Sequence, residues 1–173
     1  MPEPKPQLRP VTDLIERAQL SDEAKLKLRP DATPSAFMRE LVSEGLFIDG
    51  VKFLAQAIGP ARAVAWALAC LKDLRAENNG AALATFDAWV ADPSDANRRA
   101  AANAAEDGPE KSLGFAIFFS GGSIAPPEVN PVPPPPHVAE KLAAGAIMLA
   151  VVAEKPEHAA ERYQRCIEIA LKS

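Results

Sequence analysis

The chain has little of what many small enzymes and nucleic-acid binders are built from. Only two cysteines and two histidines occur in 173 residues. Cys70 and Cys166 lie far apart, with no second ligand at metal-binding spacing, which excludes zinc-ribbon and paired-cysteine redox motifs. Each sits within an apolar helical pattern, where a free thiol behaves as a small hydrophobe. His137 and His158 each follow a helix-opening proline, so both are expected in solvated first turns. Aromatics make up 6% of the chain, and β-branched residues are too thinly spread to build sheets. No basic run is longer than Arg98-Arg99, and the net charge is −4. Residues 1–86 hold 11 basic and 11 acidic side chains, whereas residues 87–173 hold 8 and 12. A phosphate-tracking surface is therefore not expected, nor nucleic acid as a partner. The longest apolar stretch, Leu142 to Ala153, has 12 residues, short of the ~20 that cross a bilayer. Met1 to Asp13 is charged and proline-rich and lacks the apolar region of a signal peptide. A cytoplasmic protein without a membrane span is the expectation.

What the chain does have is alanine, leucine and sharp punctuation. Hydrophobic residues reach 48% and charged residues 24%, ordinary values for a globular domain. Alanine, the best helix former, dominates the apolar set. The fold class expected is all-α: a helical-hairpin bundle of about eight or nine helices in one domain, residues 12–173, with boundaries read from caps, prolines and glycines. Residues 1–11 are expected to form a flexible proline-rich tail. Thr12 and Ser21 would cap two short helices, and Thr33-Pro34 a third that stops at Gly45. Phe47, Val51, Leu54 and Ile58 recur at helical spacing up to Gly59. Pro60 opens a helix with Ala61, Val64, Ala65, Leu68 and Leu71 on one face, ending near Asn78-Asn79-Gly80. Leu83, Phe86 and Val90 mark the next, which Pro93 interrupts. Asp92 or Ser94 would cap a helix running to Asp107-Gly108, followed by a short apolar helix over 112–120. Residues 121–136 hold seven prolines, four of them consecutive, and favour extended polyproline geometry. This strap precedes the penultimate helix, 136–153, which is apolar nearly all round and so is expected at the centre of the fold. A final amphipathic helix carries Tyr163, Cys166, Ile167 and Leu171.

No Walker loop, dinucleotide fingerprint, nucleophile elbow or metal-ligand set is present. No catalytic residue and no cofactor are expected. Two blocks nevertheless exceed the background. In the first, Trp89, Asp95, Arg98 and Arg99 surround a helix start, where arginines face the unfavourable end of the dipole. Asp95 pairs with Arg98 or Arg99 at helical spacing, or an arginine reaches a backbone carbonyl and pins the proline segment. Trp89 reads as core rather than as a ligand platform. The second block is Ser120, Gly121, Gly122 and Ser123 with Pro126 and Pro127, continuing to Pro133, Pro134, Pro135 and Pro136. It is either a rigid strap joining two helices, anchored by Ile124, Val129 and Val132, or a preformed ligand for an aromatic groove.

Trp89-Val90-Ala91-Asp92-Pro93-Ser94 with Asn97-Arg98-Arg99, then Ser120-Gly121-Gly122-Ser123 with Ala125-Pro126-Pro127, resembles a poorly characterised bacterial family of small helical proteins encountered near type VI secretion genes. The resemblance covers about residues 60–170. It implies a cytoplasmic accessory role with a protein partner, such as a secretion-system component, and no assigned catalytic residue. The function expected is therefore a non-catalytic helical interaction module. The alternative is a small-molecule-binding or enzymatic domain, with a pocket between helices 112–120 and 136–153 and an anion site at Arg98 and Arg99. The small residues of 142–150 would also allow homo-oligomerisation.

Overall fold

Local capping chemistry sets several helix boundaries in the structure, a computed structural model that describes residues 10–75 and 80–172. Ser21 and Thr33 each accept a hydrogen bond from the backbone N–H three residues on, and Ser94 does the same for Asn97. Pro34 and Pro60 occupy first helical positions, where a missing N–H costs nothing. Gly45 and Gly59 turn the chain with positive φ. The result is all-α, with ten α-helices and no strand among the described residues: α1 (Val11–Ala18), α2 (Asp22–Leu26), α3 (Pro34–Ser43), α4 (Phe47–Ile58), α5 (Pro60–Leu74), α6 (Gly80–Ala91), α7 (Asp95–Ala102), α8 (Gly108–Phe118), α9 (Val138–Ala153) and α10 (Ala159–Lys172).

The apolar helix α9 takes the central position foreseen for it, packing on α8, α5, α4 and α10. Ala143, Ala146, Ile147 and Ala150 are fully buried, so its small residues serve close helix contact inside the fold. Phe37 and Phe53 meet edge to face at 5.1 Å where α3 crosses α4. Several polar groups that enter the core find partners. Asp49 on α4 accepts from the Ser21 N–H at 2.7 Å and from its hydroxyl at 2.9 Å, tying α2 to the body. The Trp66 indole donates to the Cys166 carbonyl at 2.7 Å across α5 and α10. Arg162 donates to the last carbonyls of two helices, Leu74 on α5 and Ala150 on α9.

Several boundaries differ from the sequence reading. Helix α1 starts at Val11 rather than at a Thr12 cap, because Val11 packs into the core and the Pro10 carbonyl accepts from Leu14. That moves residue 11 out of the tail; Pro10 is the exposed N-cap residue, and residues 1–9 lie outside the described residues. The stop foreseen at Asn78-Asn79 lies outside them as well, while α5 ends at Leu74. Helix α7 ends at Ala102 instead of Asp107: the Lys111 ammonium takes the Ala102 carbonyl at 3.0 Å, and Gly108 then turns the chain with positive φ. Ala61, Ala65, Val90 and Leu171 face outward. Val64, Leu68 and Leu71 on α5 and Leu83 and Phe86 on α6 are buried as read, and the buried faces extend through Ala63, Trp66, Ala67 and Cys70 on α5 and through Trp89 on α6.

Candidate functional site

The start of α7 and the strap after α8 form one unit. Asn97 donates through its amide to the Asp92 carbonyl at 2.9 Å, which fixes the turn before the helix. Arg98 and Arg99, in the middle of the eight-residue α7 with Arg99 already in its last turn, reach across to the strap. Arg98 donates to the carbonyls of Phe118 and, at 2.7 Å, Ser123. Arg99 donates to the carbonyls of Ser123 at 3.0 Å and Ala125 at 2.7 Å. Asp95 accepts from both guanidiniums. The two alternatives read from the sequence are thus both realised, the local ion pairs and the pinned strap. The Arg99 and Arg98 hydrogen bonds hold the Asp95 carboxyl below the usual carboxylate range, so the clamp keeps its charge on mild acidification.

Arg98 is 4% exposed, and its guanidinium lies 4.9 Å above the Phe118 ring. A buried guanidinium is tolerated only where its N–H groups are taken up, and here two carbonyls and a carboxylate take them. Gly122 makes the approach possible. It has φ of +66°, and a Cβ there would lie 3.0 Å from the Arg98 Nε and Nη2. Gly121 has no close neighbour and follows the end of α8, where the Ser120 hydroxyl donates to the Ile117 carbonyl at 2.7 Å.

The strap also closes on itself. The Ile124 N–H donates to the Val132 carbonyl at 2.8 Å, and the Ser123 hydroxyl accepts from the N–H groups of Ala125 and Val132. Ala125 is buried beneath it. Val129 and Val132, expected as core anchors, are instead 56% and 46% exposed, because the arginine contacts to backbone carbonyls hold the segment without them. Pro126, Pro127, Pro133, Pro135 and Pro136 are exposed and Pro134 is half-buried. Trp89 lies in the core, as read, with its indole N–H lacking a partner among the described residues.

The pocket expected between α8 and α9 is replaced by direct contact. The Ser112 hydroxyl donates to the Leu142 carbonyl at 2.9 Å, and a Cβ on Gly145 would come within 3.4 Å of that hydroxyl. The anion anchors expected at Arg98 and Arg99 are engaged by the chain's own carbonyls and Asp95. A cavity lies elsewhere, a half-open groove of about 1100 Å³ between α3, α4 and α10. Its floor is apolar, with Leu14, Met38, Phe53 and Ile167, and Arg39 and Arg62 stand at its edge.

A family model described as a family of unknown function, DUF6931, matches residues 37–173. The chain belongs to that family. The match runs from within α3 to the C-terminus and so reaches further toward the N-terminus than the resemblance noted over 60–170. In this DUF6931 chain the whole clamp and strap, with both edge arginines of the groove, fall inside the matched residues. No curated protein and no solved structure matches the chain.

Sequence reading missed the groove entirely. Its lining comes from five helices, α1, α3, α4, α5 and α10, whose individual stripes look like ordinary core. The one available signal was Leu171, an apolar residue at the end of the last helix, which is 71% exposed.

Proposed function

We propose that this DUF6931 chain is a non-catalytic helical interaction module, an adaptor or accessory factor that docks a protein partner through the outer face of its clamped strap. The observation that carries the reading is the use of a buried arginine to hold a proline segment whose side chains point to solvent. Polyproline geometry is a low-entropy ligand for aromatic-lined grooves. Clamping it at Phe118, Ser123 and Ala125 further reduces the ordering cost of binding. Val129 and Val132 add apolar contacts on the same exposed stretch. As part of the proposal, the partner belongs to a bacterial secretion apparatus and the protein acts in the cytoplasm, a reading supported by the sequence resemblance to proteins found near type VI secretion genes.

The test is affinity purification of the tagged chain from its native cells. Wild type is compared with a Pro133→Ala, Pro135→Ala, Pro136→Ala variant shown to be folded by circular dichroism. All three side chains are exposed, so the fold is expected to persist. A partner captured by wild type and lost by the folded variant supports strap docking. A partner retained by both, or none captured, overturns it.

A further inference from the structure

The groove between α3, α4 and α10 carries electrostatic information that the strap does not. Arg39 and Arg62 are exposed at its edge, and neither has an ion pair or hydrogen bond among the described residues. Glu168, the acidic residue on the opposite wall, is already paired with Lys172 at 3.7 Å. Two helix starts lie along the same groove. Pro34 and Ser35 of α3 and Gly59 before α5 line the groove. Neither helix has an acidic residue in its first turn, and α5 has no side-chain cap. At Gly59 the negative end of α4 meets the positive end of α5 and offsets it, so the edge takes its positive charge from Arg39 and Arg62. Leu171 lies in the same groove, 71% exposed.

We infer that this groove binds an amphipathic helix of a partner protein, laying an apolar i, i+3, i+4, i+7 stripe on Met38, Phe53 and Ile167 and presenting aspartate or glutamate to Arg39 and Arg62. The groove is open along one side, and helix-in-groove recognition takes such an open apolar trough. Two guanidiniums on different helices call for two carboxylates, whereas a fatty acid carries one. A second copy docked groove to groove would set arginine against arginine across the dyad. The chain's own first residues, Met1 to Arg9, include Lys5 and Arg9 against Glu3 alone and three prolines, so they are poorly matched in charge and in helix propensity. The inference extends the interaction-module reading but does not depend on the strap.

The experiment selects from a phage library of helical peptides on the immobilised full chain, then measures the best peptide by fluorescence anisotropy. Enriched sequences are expected to carry the apolar stripe flanked by Asp or Glu. The Arg39→Glu, Arg62→Glu double variant is expected to bind at least tenfold more weakly, as is Leu171→Glu; all three side chains are exposed and leave the core intact. Wild-type affinity should fall as salt rises. The strap variant Pro133→Ala, Pro135→Ala, Pro136→Ala should bind the peptide as wild type does, so failure of strap docking and failure of the groove are read separately. No enriched peptide, enrichment without acidic positions, unchanged binding to the charge-reversed variant, or loss of binding in the strap variant would each overturn the inference. Displacement of the peptide by dodecanoate at equal affinity would also overturn it, by assigning the groove to a lipid.

Discussion

Three arginines do a job that backbone hydrogen bonds do elsewhere. Arg98 and Arg99 collect carbonyls of a segment that has few N–H groups to offer, since seven of its residues are prolines. Arg162 collects the carbonyls at the ends of α5 and α9. The planar fork of a guanidinium can serve two carbonyls at once, which an ammonium cannot do with the same geometry. Arg98→Ala leaves the Phe118 carbonyl with its arginine donor gone and opens space beside the Phe118 ring. Such a change is expected to cost about 3 kcal/mol, the scale for breaking a buried charged contact. Urea unfolding measures it as a lower midpoint, and Arg98→Lys is expected to recover only a small part. A loss below ~1 kcal/mol would mean that the strap is held by other contacts. At this scale the sequence was informative. Arginines expected at a dipole-disfavoured helix start flagged a tertiary role, although the acceptors Phe118, Ser123 and Ala125 were not identifiable, because a backbone carbonyl carries no residue signature.

Among the helices, the crossing of α7 and α8 is the tightest contact built on a glycine. A Cβ at Gly114 would lie 2.3 Å from the Ala101 carbonyl oxygen, a backbone atom with no side-chain freedom to yield. Gly114→Ala is expected to force the two helices apart at a cost of about 1–3 kcal/mol, lowering Tm by ~2–4 °C for each kcal/mol. Gly145 provides the contrast. It is also within a helix, but its added Cβ would meet only the Ser112 hydroxyl, at 3.4 Å. There the better helix propensity of alanine is expected to leave stability unchanged or raise it by up to ~1 kcal/mol. Differential scanning calorimetry of the two variants separates the cases. An unchanged Tm in Gly114→Ala would show that α7 gives way at Ala101. The existence of these helices was legible because caps and prolines act within three or four residues. The end of α7 was not, because the Lys111 contact that supports it comes from the next helix.

Over the whole molecule, α5 and α10 bring together two cysteines 96 positions apart in sequence. The Cys70 thiol donates to the Cys166 carbonyl at 3.9 Å, and both side chains are fully buried. Its interaction with Cys166, and then burial, push the Cys70 thiol far above its ordinary pKa. The folded state thus keeps Cys70 protonated while the unfolded chain ionises near ~8.5. A group with a raised folded pKa contributes stability that is complete below the unfolded value and declines as pH rises above it. Unfolding free energy is expected to fall between pH 8.5 and 10, with this thiol contributing up to about 1.4 kcal/mol per pH unit. Urea midpoints across that range should decline less steeply in Cys70→Ala than in wild type. Parallel declines would remove Cys70 as the cause.

By itself the sequence determined the all-α class, the central place of α9, the burial of Trp89 and both cysteines, and the extended strap. Those properties follow from periodicity, capping and proline geometry, which act over a few residues along the chain. Only the tertiary structure decided which carbonyls the arginines hold, that Val129 and Val132 face outward, and that a groove opens between α3, α4 and α10. Each of these depends on atoms from elements far apart in sequence. The position of such atoms is set by the packing of the whole bundle, and several packings would bury the same stripes.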